Sequence, residues 1–196
     1  LLISIQSAYP QSKERISKAK SLSKKVFSDY KLSALSIGFI RNGRIVMSEH
    51  YGYADIENRV KADSNTRYRI GSISKAITSV MVGKLFRDSL LMPESTVAKY
   101  LDYFPKQGRN ITVRHLLSHQ SGIRHYRDLD SGTKSELYSK KKYNFIKDAV
   151  AVFADSPLKF KPGTRTLYST YGFTLLSAVI ESAVQREFNA LLRDSL

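Results

Sequence analysis

Ser72 and Lys75 stand three residues apart at the head of an apolar run, in Tyr68-Arg69-Ile70-Gly71-Ser72-Ile73-Ser74-Lys75-Ala76-Ile77-Thr78-Ser79-Val80-Met81-Val82-Gly83-Lys84-Leu85. On a helix this spacing sets both side chains on one face, with Cβ atoms about 5–6 Å apart. An uncharged lysine amine there can take the proton from a serine hydroxyl and leave the oxygen nucleophilic. The chain has no cysteine and no Gly-x-Ser-x-Gly elbow. Covalent chemistry, if the chain performs it, starts at Ser72.

The spacing by itself is weak evidence. Ser-x-x-Lys occurs seven times, beginning at Ser17, Ser21, Ser28, Ser72, Ser131, Ser139 and Ser156. Six of these lie among charged or loop-forming residues, where the amine stays hydrated. Only Ser72 precedes a run that is apolar nearly all round, through Ile73, Ala76, Ile77, Val80, Met81, Val82, Leu85 and Phe86. A helix without a polar face is expected to be buried, and burial or a positive neighbour makes a lysine amine a usable base. The competing reading has Ser72 capping the helix and Lys75 reaching out to solvent.

The elements that must position these residues can be read coarsely. Ile16, Ala19, Leu22, Val26, Phe27 and Tyr30 recur at helical spacing across residues 13–30, with lysines between them, which predicts an amphipathic helix. Two β-rich runs, Leu35–Ile40 and Ile45–Ser48, flank Asn42-Gly43, the strongest short signal for a hairpin. Tyr51 to Asp55 continues or ends the second strand, and Asp63-Ser64-Asn65 marks a turn. Beyond the Ser72 helix the pattern is helical: Pro93 to Tyr100, Thr112 to His119 with Thr112 as cap, Asn144 to Phe153, and one long helix from Tyr171 to Leu192. Residues 124–144 are polar and lysine-rich, as expected of an insertion or mobile loop. This order predicts an α+β protein.

Composition narrows the classes of function. The chain has 196 residues, 42% of them hydrophobic, with twelve tyrosines, enough for one core. No apolar run nears the roughly 18 residues of a membrane helix, and the lack of cysteine excludes disulfides and thiolate zinc sites. The formal charge of +15 is spread along the chain, with clusters at Lys13–Lys25 and Lys140–Lys142 and no nucleic-acid-binding signature. It is read as a solvated surface capable of peripheral contact with an anionic membrane, and no nucleic-acid partner is expected. The chain opens on Leu and ends without a closing turn, so it is expected to be a piece of a longer protein in which no targeting segment can be read.

Three further stretches join Ser72 and Lys75. Lys161-Pro162-Gly163-Thr164-Arg165-Thr166-Leu167-Tyr168-Ser169-Thr170 puts a tyrosine in a loop before an apolar helix, where a phenol beside a lysine can relay a proton. Its bland alternative is a partly buried aromatic with a wet hydroxyl. Leu116-Leu117-Ser118-His119-Gln120-Ser121-Gly122 makes a compact exit from a helix. His115 and His119 are spaced for a metal pair, yet no glutamate follows as in His-Glu-x-x-His, so neither a metal nor another cofactor is expected. Tyr51-Gly52-Tyr53-Ala54-Asp55 closes a strand.

In this order the four stretches resemble the serine β-lactamase and penicillin-binding protein family, on its class C and esterase-like side and closest in wording to its eukaryotic mitochondrial branch. The resemblance implies a partial β-lactamase/transpeptidase-like fold over 1–196. Residues 13–70 would form the N-terminal helix and hairpin of the α/β part, 71–196 a mainly helical part, and the C-terminal sheet strands would be missing. It implies Ser72 as acylated nucleophile, Lys75 as general base, Tyr168 as proton shuttle and Thr170 as substrate contact where most members carry Asn. A threonine lacks the amide donor, which favours peptide or ester substrates over β-lactams. The family's Lys-Thr-Gly or His-x-Gly strand, a source of one oxyanion donor, does not come after Tyr168 here, so weak or no turnover is expected of this piece. The implied function is a serine hydrolase, foremost a peptidase, of the mitochondrial type linked to proteolysis and lipid metabolism. The alternative is a non-catalytic scaffold of the same fold that assembles into oligomers or filaments.

Overall fold

Asn42 and Gly43 both take left-handed backbone angles, φ 49° and 73°, the conformation of a two-residue hairpin turn whose twist matches that of its strands. A computed structural model of the chain describes residues 10–126, 136–139 and 141–195, which divide into two units, 1–69 and 70–196. In the first unit, β1 (Ala34–Arg41) and β2 (Arg44–Asp55) pair antiparallel from Ala34 opposite Gly52 to Arg41 opposite Arg44. The short β3 (Val60–Lys61) pairs with the far end of β2, giving the order β1-β2-β3. Two residues are too few to show alternation, so β3 left no mark in the sequence pattern. Helix α1 (Pro10–Asp29) packs on β1 and β2. Phe27 stacks on Tyr51, with ring centroids 5.7 Å apart, and Lys20 pairs with Glu49 at 2.5 Å. Leu22 and Tyr30, expected on the packed stripe, are exposed. Leu22 sits about a third of a turn away from Ile16 around the helix axis, and Tyr30 lies past the last helical residue.

The second unit is helical: α2 (Ile73–Arg87), α3 (Val97–Tyr100), α4 (Val113–Leu117), α5 (Ile146–Ala151), α6 (Thr170–Val184) and α7 (Phe188–Ser195), with short 3-10 turns at Lys106–Gly108 and Glu136–Tyr138. Helix α6 is its hub. α2, α3, α4, α5 and α7 all pack on it, enclosing Leu175, Leu176, Val179 and Ile180 with Met81, Val82, Val97, Leu116 and Val150. The chain is thus α+β, as its pattern predicts. No helix among the described residues is long and apolar enough to cross a membrane.

Four expectations need correction. The Ser72 helix is not buried all round: Ile73 and Val80 are 65% and 56% exposed. Thr78, Met81, Val82 and Leu85 form the i, i+3, i+4, i+7 stripe that faces the core, and Ile73 and Val80 fall on the opposite side of the wheel. The helix foreseen from Pro93 starts only at Val97, because Pro93 and Ser95 instead accept backbone bonds from Arg114 and Val113. The long helix foreseen through Leu192 breaks at Gln185, whose φ of 52° is left-handed. The Glu181 carboxylate then accepts the Phe188 N–H at 2.8 Å and starts α7. Finally, Arg124 is 6% exposed rather than part of a mobile loop. Residues 127–135 and 140 of that stretch, including Ser131 and Lys140, lie outside the described residues.

The exit from α4 is strapped to the segment leading to Tyr168. Lys159, Gly163 and Leu167 donate backbone bonds to the carbonyls of Gly122, Gln120 and His119 at 2.8, 2.9 and 2.9 Å. Gly122 permits this closeness: its φ is 76°, and a Cβ there would lie 2.4 Å from the Phe160 carbonyl oxygen. Both the angle and the backbone clash penalise any side chain. Gly122→Ala is expected to lower stability by about 2–4 kcal/mol in chemical denaturation, and a variant as stable as the parent would contradict the strap.

Candidate active site

Ser72 sits at the N-cap position of α2 but does not cap it. Its backbone is helical, φ −69° and ψ −9°, and its hydroxyl makes no capping bond. Oγ instead lies 2.5 Å from Tyr168 Oη and accepts a hydrogen bond from Lys75 Nζ at 3.2 Å. Lys75 is half-buried rather than extended into water. Its ammonium also donates to Thr170 Oγ1 at 3.3 Å and rests 4.8 Å from the centre of the Tyr168 ring and 5.7 Å from that of Phe173. Neither bland alternative, serine cap or solvent-directed lysine, is what the chain adopts. The geometry brings Ser72, Lys75, Tyr168 and Thr170 together.

Folding makes this meeting local on both sides. Ser72 and Lys75 share one face of α2, as their spacing requires. Tyr168 is held through the two residues after it, Ser169 and Thr170. Ser169, which is buried, accepts the Gly172 N–H on its hydroxyl at 3.0 Å as the cap of α6 and donates that hydroxyl to the Arg124 carbonyl at 2.8 Å. Its own N–H donates to His119 Nδ1 at 3.2 Å, and the Thr170 N–H donates to His125 Nδ1 at 3.2 Å. His115, the other half of the supposed metal pair, forms a capping box with Thr112 instead. Among the described residues no three His, Cys, Asp or Glu side chains cluster as metal ligands would.

Arg124 anchors the loop that carries His125. Nε donates to Ser156 Oγ at 2.8 Å, Nη1 to the His125 carbonyl and Glu136 Oε2, and Nη2 to Glu136 Oε1 and the Val152 carbonyl. All five guanidinium donors therefore have acceptors. The Tyr171 hydroxyl donates to the same Glu136 carboxylate at 2.8 Å. Sequence reasoning missed Arg124, His125 and Ser169 in this role. The one signal that could have found Arg124 and His125 was the dense sequence Ser121-Gly122-Ile123-Arg124-His125-Tyr126, which holds four polar or aromatic side chains at a helix exit.

The electrostatics separate two neighbouring phenols. Hydrogen bonding from Lys75, then from Ser72, holds Tyr168 below the ordinary tyrosine range, because a cation and donors favour phenolate. Burial, then the Glu136 carboxylate, pushes Tyr171 well above it. Burial first, then the Lys75 charge and His125, lowers His119 and favours its neutral ring. Ultraviolet titration should accordingly show one phenol ionising below pH 10 that disappears in Tyr168→Phe. In that window the folded chain has released a proton the unfolded chain still holds, so the site adds stability as pH rises. An unchanged titration curve in Tyr168→Phe would contradict the arrangement.

The four residues line a cleft of about 1400 Å³. It runs along α6 past Thr174, Ser177, Ala178 and Glu181, with Tyr103, Phe145 and Lys147 also in its wall.

An α+β chain with serine, lysine and tyrosine heads meeting at the start of an apolar helix has the serine hydrolase fold of β-lactamases and penicillin-binding proteins. The chain belongs to the beta-lactamase family, whose model matches residues 16–196. It is 29% identical to the serine beta-lactamase-like protein LACTB, mitochondrial, of Bos taurus, over 86% of this chain and 42% of that protein. It is also 29% identical to Protein flp of Staphylococcus aureus strain MW2, over 81% of this chain and 32% of that protein. Among solved structures it resembles the octameric penicillin-binding protein homologue from Pyrococcus abyssi, at TM-score 0.75 and 25% identity, covering 92% of this chain and 42% of that one. The chain thus spans less than half the length of each of these relatives.

Proposed function

We propose that the chain carries the acyl-transfer site of a serine hydrolase acting on peptides or esters. The observation that supports this reading most is the contact of one oxygen, Ser72 Oγ, with both Tyr168 Oη and Lys75 Nζ. In the proposed step Ser72 Oγ bonds to the substrate carbonyl carbon while its proton passes to Tyr168 Oη. The phenol oxygen is the nearer base, and the Lys75 ammonium stabilises it as phenolate, so the base function expected of Lys75 alone is shared by the pair. The carbonyl oxygen becomes negative beside the N-terminus of α2, where the helix dipole favours an anion. Collapse of the intermediate breaks the bond to the leaving amine or alcohol, which takes the proton back from Tyr168. Water then attacks the acyl ester by the same route in reverse and frees Ser72. Thr170, which accepts from Lys75, is the proposed substrate contact at the rim.

Tyr168→Phe tests the relay. It is expected to slow hydrolysis of an activated ester about 100-fold or more with little change in KM, and parent-like turnover would remove the phenol from the mechanism. Among the described residues no strand comes after Tyr168 to supply the second oxyanion donor that the family resemblance implies, a loss of about 100- to 1,000-fold in rate. A longer version that includes such a strand is therefore proposed to turn over faster than this chain.

The finer placement, a mitochondrial peptidase tied to proteolysis and lipid metabolism, draws on the motif wording and on the bovine relative. The staphylococcal relative is as similar, so import of the tagged full-length protein into isolated mitochondria is the test. A second reading, assembly into oligomers or filaments, draws on the octameric state of the archaeal relative and on the hairpin residues Phe39, Ile40, Ile45 and Val46, all exposed. Light scattering of the parent and of Ile40→Lys tests it: one shared monomeric mass would count against it. Contact with an anionic membrane draws on the +15 charge and is testable by salt-dependent vesicle binding. No nucleic-acid partner is proposed.

A further inference from the structure

His119 and His125 both pack against the Tyr168 ring. The His119 ring is tilted against it at 4.6 Å between centroids, and the His125 ring meets it edge-on at 5.3 Å. Each ring accepts, through Nδ1, the backbone N–H of one of the two residues directly after Tyr168. An acceptor Nδ1 carries no proton, so in this arrangement a neutral ring would hold its hydrogen on Nε2. The Ser169 side chain is buried and already committed to Arg124 and Gly172.

We propose that His119 and His125 are positioning residues: together they clamp the Tyr168-Ser169-Thr170 turn by its main chain and pack against the phenol, so that Oη is delivered to Ser72 Oγ. The proposal rests on the reading of Tyr168 as the proton carrier. Neither imidazole touches the reacting oxygen in this role. Each acts through the backbone on either side of Ser169, and packing alone does not require the Nδ1 lone pair. Lys75 from α2, Tyr168 from the loop before α6, Phe173 from α6 and Tyr126 beside His125 face the clamp. Burial, then the Lys75 charge, opposes protonation of His119 and favours the unprotonated acceptor. Protonation of either ring removes that acceptor, and one turn amide then loses its partner.

The test compares three replacements at each position. Asn carries an amide oxygen near the place of Nδ1, Gln carries its amide near Nε2, and Ala carries neither. The readouts are the titration of the Tyr168 Cζ resonance, identified by its loss in Tyr168→Phe, and the acylation of Ser72 by an activated ester. His119→Ala and His125→Ala are expected to return Tyr168 toward the ordinary tyrosine pKa and to slow acylation about 10- to 100-fold with KM held. His119→Asn and His125→Asn are expected to keep most of both properties. Where an Ala variant does not fold, the Gln variant replaces it with the same expected defect. Folded Ala or Gln variants with the parent titration and rate overturn the clamp, as do Asn variants as impaired as Ala. If the parent itself forms no acyl-enzyme while the Tyr168 titration obeys this pattern, the clamp stands and the hydrolase reading falls.

Discussion

Ser72→Ala is expected to lower the rate of labelling by a fluorophosphonate probe at least about 1,000-fold, to the level of the denatured chain. The size comes from the chemistry. Removing the nucleophile of a unit that works together removes nearly all that the unit contributes. Lys75 and Tyr168 remain in the variant, but they have no oxygen to deprotonate. The fold should not object, because the hydroxyl makes no capping bond and its position is exposed. Unfolding of Ser72→Ala should therefore match the parent within about 0.5 kcal/mol, so lost labelling reports chemistry and not collapse. Labelling that persists in Ser72→Ala would move the reactive serine elsewhere.

Arg124→Met carries the largest expected cost to stability, about 3–5 kcal/mol. Arg124 is 6% exposed and its guanidinium pairs with Glu136 at 2.7 Å, while three further acceptors depend on it. Methionine fills much of the volume but takes the cation away from the Glu136 carboxylate, which keeps the neutral Tyr171 hydroxyl as a donor. The cost is therefore that of a partly buried carboxylate deprived of the Arg124 cation rather than that of a cavity. Restoring neutrality should recover part of it: Arg124→Met combined with Glu136→Gln is expected to be more stable than Arg124→Met alone, a coupling that a double-mutant cycle measures. Single and double variants of equal stability would mean the pair contributes nothing to the loop.

The sequence was legible where a local rule and the tertiary structure agree. Asn42-Gly43 demands a turn that only left-handed residues make, and Thr112 with His115 forms a cap within four residues. Ser72 and Lys75 stood out from six other Ser-x-x-Lys matches by the apolar run after them, and the resemblance's motif order pointed to Thr170 and to Tyr168, 96 residues from Ser72. It was less legible where tertiary partners override local pattern. Gln185 interrupts an apolar run because Glu181 can cap the next helix, a contact no periodicity reveals. Ile73 and Val80 extend an apolar pattern onto a side that stays more than half exposed. His119 and His125 were hidden by their spacing: read along the chain, His115 and His119 suggest a metal pair, whereas the fold turns His119 and His125 together toward Tyr168. Arg124 looked like one cation among thirty-two Lys and Arg, and only its buried acceptors set it apart.

Peptide mapping of the chain after reaction with an activated ester locates the reactive oxygen. One acyl group per chain is expected, on the Ser72 oxygen, at a rate that falls when either Lys75 or Tyr168 is replaced. An acyl group spread over surface lysines, or fixed on a serine remote from Tyr168, would contradict it.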